Sequence, residues 1–150
     1  MNEQSQRDRL QEFSRLCRDR GLPFTSQRRL ILQAVLELED HPTADRIHEV
    51  VAARLPNVSR TTVYRTLETL VGLGVITKAC HPGSVARYDR RTEPHHHLVC
   101  LRCEAMTDLS DAGLDAMPMP DVSRTGFEII DCRVQLRGVC RLCREKEETR

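Results

Sequence analysis

Two Cys-x-x-Cys pairs, Cys100/Cys103 and Cys140/Cys143, constrain this chain more than any other feature. Each pair is a tight turn presenting two sulfurs, and two such turns brought together close a tetrahedral thiolate shell suited to structural zinc. Every ligand is then a protein group, so no position is open to a substrate. Residues 104–139 separate the pairs, a longer spacer than a common zinc ribbon has. The turns must therefore meet across a folded element rather than one loop. Four small buried cysteines and a redox dithiol are the alternatives. Two pairs at one tight spacing favour zinc, about one ion per chain.

The rest of the composition explains why such a staple is needed. The 150 residues suffice for one ordinary domain or two small ones. With no Trp, two Tyr and three Phe, any core rests on Leu, Val, Ile and Ala. A small lobe built that way usually needs a metal or a partner subunit. A net charge of +1 does not announce a nucleic-acid binder, although residues 50–67 carry Arg54, Arg60 and Arg65 without an acidic residue. No apolar run is long enough to span a bilayer, and the polar start MNEQSQRDRL is no signal peptide. A cytoplasmic location without membrane association is the expectation. In that reducing compartment seven cysteines argue for metal or redox chemistry over a disulfide framework.

Hydrophobic periodicity predicts four helices up to about residue 73. Their apolar faces carry Leu10, Phe13, Leu16 and Cys17; Ile31, Leu32, Val35 and Leu36; Ile47, Val50, Val51 and Leu55; and Val63, Leu67, Leu70 and Val71. Thr25 or Ser26, Thr43 and Ser59 are N-caps for the second to fourth, and Gly74 is a stop. Two β-prone runs, Val75–Ala79 and Val85–Tyr88, flank His81-Pro82-Gly83-Ser84 and read as a hairpin. Helices followed by a hairpin is the order of a winged helix-turn-helix module, in which the last helix enters the major groove. Arg60, Thr61, Thr62, Tyr64 and Arg65, near the start of that helix, are the candidate DNA-contacting residues. An ordinary helical bundle with a β-appendage has the same order.

Beyond Asp89 the chain changes character, giving domains at 1–88 and 89–150 and an α+β class overall. Met106–Leu109 and Phe127–Leu136 read as strands, Asp111–Met117 as a short helix, and Arg144–Arg150 as a frayed, charged end. Asp89, His95, His97 and Asp108 gather around the first cysteine pair. In a strand His95 and His97 share one face while His96 takes the other. Imidazole and carboxylate without thiolate favour Fe(II), Mn(II) or Zn(II). A solvated histidine tract is the bland alternative.

These blocks together resemble the ferric-uptake-regulator (Fur) family. The similarity runs from Gly21-Leu22-Pro23-Phe24-Thr25-Ser26-Gln27-Arg28 through His41-Pro42-Thr43-Ala44-Asp45 and Val58-Ser59-Arg60-Thr61-Thr62-Val63-Tyr64-Arg65-Thr66-Leu67. It continues in His95-His96-His97-Leu98-Val99-Cys100-Leu101-Arg102-Cys103 and the last cysteine pair. The resemblance implies a homodimeric repressor of double-stranded operator DNA. An N-terminal winged-helix domain would precede a small C-terminal α/β dimerisation domain with a four-cysteine zinc site. It implies a regulatory metal, Fe(II) or Mn(II) with Zn also accepted, on His41, Asp89, His95, His97 and Asp108. Of these, His41 is expected from the first domain and the other four from the second. Asp at both carboxylate positions is most like the peroxide-sensing branch called PerR, in which peroxide oxidises ligands at the iron. By position those would be His41 and His95.

The chain also departs from the family pattern. A third metal site of some members expects histidine where Cys132 stands, and Pro94 precedes His95, so no third site is expected. Haem-responsive relatives tend to lack the cysteine pairs, which argues against haem. Cys17, Cys80 and Cys132 read as small buried hydrophobes. No small-molecule substrate beyond metal ions and peroxide is implied. Three other functions compete: an iron- or zinc-uptake regulator without peroxide sensing, a metalloenzyme at the His/Asp set, and a zinc-stabilised interaction module. Five candidate ligands leave little room for substrate, and no nucleophile or phosphate loop is evident, so a non-enzymatic regulator is the expectation.

Overall fold

The computed structural model describes residues 3–79 and 85–148. The chain divides into two compact units, Met1–Thr92 and Glu93–Arg150. In the first, helices α1 (Glu3–Asp19), α2 (Ser26–Glu37), α3 (Ala44–Arg54) and α4 (Arg60–Gly72) precede strands β1 (Thr77–Ala79) and β2 (Arg87–Asp89). Thr25, Thr43 and Ser59 each accept a backbone N–H from three residues on, so the expected caps start their helices. Gly74, at φ +70°, ends α4, with the Val75 amide donating to the Leu70 carbonyl.

The core of this unit joins Phe13 and Cys17 of α1 to Ile31, Leu32, Val35 and Leu36 of α2. Ile47 and Val51 of α3, and Val63, Leu67 and Leu70 of α4, complete the helical part. Val75, Ile76 and Tyr88 close it from the strand side. Because these stripes fall at helical spacing, one layer of aliphatic side chains suffices despite few aromatics. His48 Nε2 lies 3.1 Å from the Val58 carbonyl and ties α3 to the turn before α4. β1 and β2 pair antiparallel, with Thr77 opposite Asp89 and Ala79 opposite Arg87. The strands are shorter than the sequence runs, since Val75 and Ile76 are spent on the core. The turn at 81–84 and Cys80 lie outside the described residues.

The second unit is a three-stranded sheet in the order β4-β3-β5. β3 (His96–Cys100) pairs antiparallel with β4 (Met106–Leu109) and parallel with β5 (Gln135–Gly138). A short helix α5 (Ala112–Asp115) follows β4, and α6 (Arg141–Glu148) follows β5. The class is therefore α+β, as expected.

Two expectations are corrected in this unit. Of the expected strand only Gln135 and Leu136 form, within β5, and the chain before them is irregular, with Phe127 78% and Ile130 84% exposed. The adjacent Ile129-Ile130 breaks strict alternation, and the pairing of β5 with β3 begins only at Gln135. Of the expected frayed end, residues 144–148 belong to helix α6, and 149–150 lie outside the described residues. The Cys140 carbonyl accepts the amides of Cys143 and Arg144, and Arg141 pairs with Glu145 one turn on at 2.5 Å. Among the described residues no helix is long and apolar enough to cross a membrane.

Candidate metal centres and nucleic-acid face

The two cysteine pairs meet because of strand register. Cys100 ends β3 opposite Gly138, the last residue of β5, so Cys140 follows two residues beyond the end of the neighbouring strand. The Cys100 carbonyl accepts the Glu104 amide, and Glu104 adopts a left-handed φ of +58°, folding the first pair into its turn. The four sulfurs lie within 4.8 Å of one another, with Cys103 Sγ 3.7 Å from Cys140 Sγ. That spacing and a pure thiolate donor set fit zinc.

The cluster's electrostatics are uneven before any ion is considered. The Cys100 sulfur accepts the backbone amides of Cys140 at 3.4 Å and Arg102 at 3.5 Å. Together with the Cys103 amide, these donors draw its thiol down to about 5. Cys143 is pushed up to about 12 by hydrogen bonding to Cys140 and Cys103. Thiol ligands give up their protons when a cation binds, and the amides around Cys100 favour that loss there.

The histidine set is divided between the units. In the first unit His41 and Asp89 are buried, with His41 Nε2 3.4 Å from Asp89 Oδ2. Asp89 is the last residue of β2 and its Oδ1 accepts the Arg91 amide at 2.8 Å. It thus belongs with His41 in the first unit, not with the second domain as expected, because strand pairing to Thr77 holds it there.

In the second unit His97 lies directly opposite Asp108 across the β3–β4 ladder. His95 Nε2 is 3.3 Å and His97 Nε2 3.8 Å from Asp108 Oδ1, and the two rings are 4.4 Å apart. His95 Nδ1 sits 2.8 Å from the Glu93 carbonyl, which assigns the proton to Nδ1 and turns Nε2 to the carboxylate. His96 takes the opposite face, as alternation requires. Its Nδ1 accepts the Val134 amide at 2.9 Å and its Nε2 faces Asp115 at 3.3 Å. His96 therefore anchors the segment before β5. Cys17 is buried as expected, whereas Cys132 is only half-buried, beside a cavity of about 450 Å³ that His96 and Asp115 also line.

On α4, Arg60, Thr61, Tyr64 and Arg65 are exposed and Thr62 is half-buried, while Val63, Thr66 and Leu67 face the core. The acid-free run around them does not stay acid-free in space. Glu37 reaches Arg54 through both carboxylate oxygens at 2.7 and 3.1 Å, and Asp45 meets Arg60 at 2.8 Å. Lys78 of β1 pairs with Glu68 of α4 at 2.7 Å, so the hairpin is tied to that helix. These partners lie 15, 17 and 10 residues apart along the chain, beyond any helical or strand repeat. Asp45 sits one residue past the recognisable cap Thr43-Ala44, but nothing in its local pattern points to Arg60.

The sequence model of the ferric uptake regulator family matches residues 19–137. The peroxide-responsive repressor PerR of Staphylococcus epidermidis is 29% identical over 137 residues, covering 91% of each chain. PerR of Staphylococcus aureus is 29% identical over the same length, 91% of this chain and 93% of that protein. Among solved structures, the Helicobacter pylori ferric uptake regulator superposes with a TM-score of 0.81 at 21% identity, covering 93% of both chains. The iron-bound Francisella tularensis regulator gives 0.71 at 25% identity, over 83% of this chain and 96% of that one. Residues 19–137 include His41, Asp89, His95, His97, Asp108, Cys100 and Cys103, whereas Cys140 and Cys143 lie beyond that match.

Proposed function

Because this chain belongs to the ferric uptake regulator family, we propose that it is a metal-dependent transcriptional repressor that binds operator DNA as a homodimer and is released by peroxide. The observation that carries this reading is a four-thiol cluster separate from a His95–His97–Asp108 set in the same small unit, with both histidines buried and Asp108 half-buried. Two chemically distinct donor sets imply two jobs. Cys100, Cys103, Cys140 and Cys143 hold a structural zinc. His41, Asp89, His95, His97 and Asp108 form the regulatory set for Fe(II) or Mn(II), with Zn(II) as a competitor.

Each residue has a part in this. Glu93 fixes the His95 tautomer so that Nε2 presents its lone pair, and Asp108 faces both His95 and His97. His41 and Asp89 belong to the unit that carries α4, so ligands drawn from both units would make DNA affinity depend on the metal. By linkage, operator DNA tightens metal binding to the same degree. Arg60, Thr61, Thr62, Tyr64 and Arg65 meet the operator, with the β1–β2 hairpin along the backbone.

The PerR relatives and the pair of aspartates support the peroxide-sensing branch over an iron- or zinc-uptake regulator. His41, Asp89, His95, His97 and Asp108 would hold Fe(II), which would supply the electrons for peroxide reduction, and His41 and His95 are the ligands placed to be oxidised. The protein is then a regulator consumed once per event, acting in the cytoplasm where the operator lies, and not an enzyme. Mass spectrometry of the iron-loaded protein before and after peroxide tests this. Added oxygen on His41 or His95, together with loss of operator binding in the iron form but not the manganese form, is the expected result. Unmodified histidines on a protein still bound to DNA would leave the uptake-regulator reading in its place.

A further inference from the structure

Arg87 belongs to neither donor set, yet three contacts to the segment that carries His41 run through it or its neighbour. Its guanidinium donates to the His41 carbonyl at 3.1 Å. Its backbone forms an antiparallel bridge with Thr43, and the next amide, Tyr88 N, donates to the Pro42 carbonyl at 3.0 Å. Residues 41–43 are thereby held against β2 through one isolated bridge and these hydrogen bonds.

His41 needs that support. Its φ is +49°, in the left-handed region where a residue with a Cβ sits at a steric cost and persists only if its surroundings fix it. Two residues on from Arg87, and therefore on the same face of β2, Asp89 meets the His41 ring at 3.4 Å. One strand thus holds the backbone of His41 with one side chain and faces its imidazole with the next on that face.

We propose that Arg87 is a positioning residue for metal binding: it holds His41 in its left-handed backbone conformation so that the imidazole is set beside Asp89 in advance of any ion. The inference rests on the reading of His41 and Asp89 as metal ligands. It also makes the hairpin strand part of the metal site, because loosening Arg87 loosens β2 and His41 together.

The test is Mn(II) titration calorimetry on the zinc-loaded full chain, paired with amide hydrogen exchange on the same protein without Mn(II). Losing one hydrogen bond from a charged donor weakens Mn(II) binding by about tenfold in Arg87→Ala. Arg87→Lys, whose ammonium can donate to the same carbonyl, recovers most of that loss. Faster exchange of the Tyr88 amide in the Mn-free Arg87→Ala protein, with unchanged zinc content, separates positioning from general unfolding. Should Arg87→Ala fail to fold, Arg87→Gln keeps much of the side-chain stem and carries the same comparison. Wild-type affinity and wild-type Tyr88 exchange in a folded Arg87 variant overturn the proposal. His41→Ala is the control for the underlying reading: if it binds Mn(II) as the wild type does, the ligand assignment falls first.

Discussion

Asp45 and Arg60 offer a quantitative test of whether α4 reads DNA. Their 2.8 Å pair is exposed, with side chains 52% and 68% accessible. An exposed ion pair contributes roughly 0.2–1 kcal/mol. A guanidinium placed on a guanine edge contributes about 1–3 kcal/mol of discrimination. If α4 reads DNA, a base contact would therefore outcompete Asp45, which would cost affinity without blocking it. Asp45→Asn is expected to tighten operator binding by at most about fivefold, the factor that ~1 kcal/mol represents. Arg60→Ala is expected to weaken it by roughly 5- to 150-fold. Fluorescence anisotropy on an operator duplex at one fixed salt concentration, with saturating Mn(II), measures both. Repeating the titration across salt then separates phosphate from base contact. Unchanged affinity in a folded, dimeric Arg60→Ala protein refutes the placement of the reader helix. Weaker binding by Asp45→Asn refutes the competition and makes Asp45 a support for Arg60.

Two further outcomes concern the second unit. His96→Ala is expected to retain the regulatory metal but lose about 0.5–1.5 kcal/mol of stability, since the half-buried Val134 amide loses its acceptor. His97→Ala is expected to lose the metal, and equal metal loss in both, measured by elemental analysis, refutes the two-faced assignment. In zinc-free, reduced protein the thiols are expected to titrate apart by ultraviolet thiolate absorbance, Cys100 near 5 and Cys143 near 12, on either side of the ordinary 9.0. The lowered Cys100 value gives stability complete above pH 9 and lost as pH falls through 5. The raised Cys143 value gives stability complete below pH 9 and lost as pH rises through 12. Four thiols titrating together near 9 contradict the backbone-amide account.

The sequence carried the helical unit almost entirely, because caps and apolar stripes are local. Thr43 and Ser59 mark the starts of α3 and α4, and Val63, Leu67 and Leu70 face the core at the spacing their positions imply. The cysteine pairs and the grouping of His95 and His97 are short-range patterns, whereas His41 entered only through the family resemblance. What could not be read was set by pairing across distance. Asp89 joins the first unit through Thr77, and Arg60 is met by Asp45. Arg87 reaches back to His41, and His96 catches Val134. The strand expected over Phe127–Leu136 failed for the same reason, since a strand exists only where a ladder partner stands beside it.

The parallel pairing of β3 with β5 also bears on how the molecule comes to hold zinc. Parallel neighbours cannot be joined by a tight turn, and here the whole of residues 101–134 must loop round before Cys140 comes alongside Cys100. Closing so long a connection is a late, entropically uphill step, made slower by its high contact order. Until then only half of the thiolate cage exists. The pace of zinc uptake should follow this chain closure and cease to rise with ion concentration once the ion is plentiful. The long spacer that marks the cysteine pairs in the sequence thus acts as a clock on the maturation of the site.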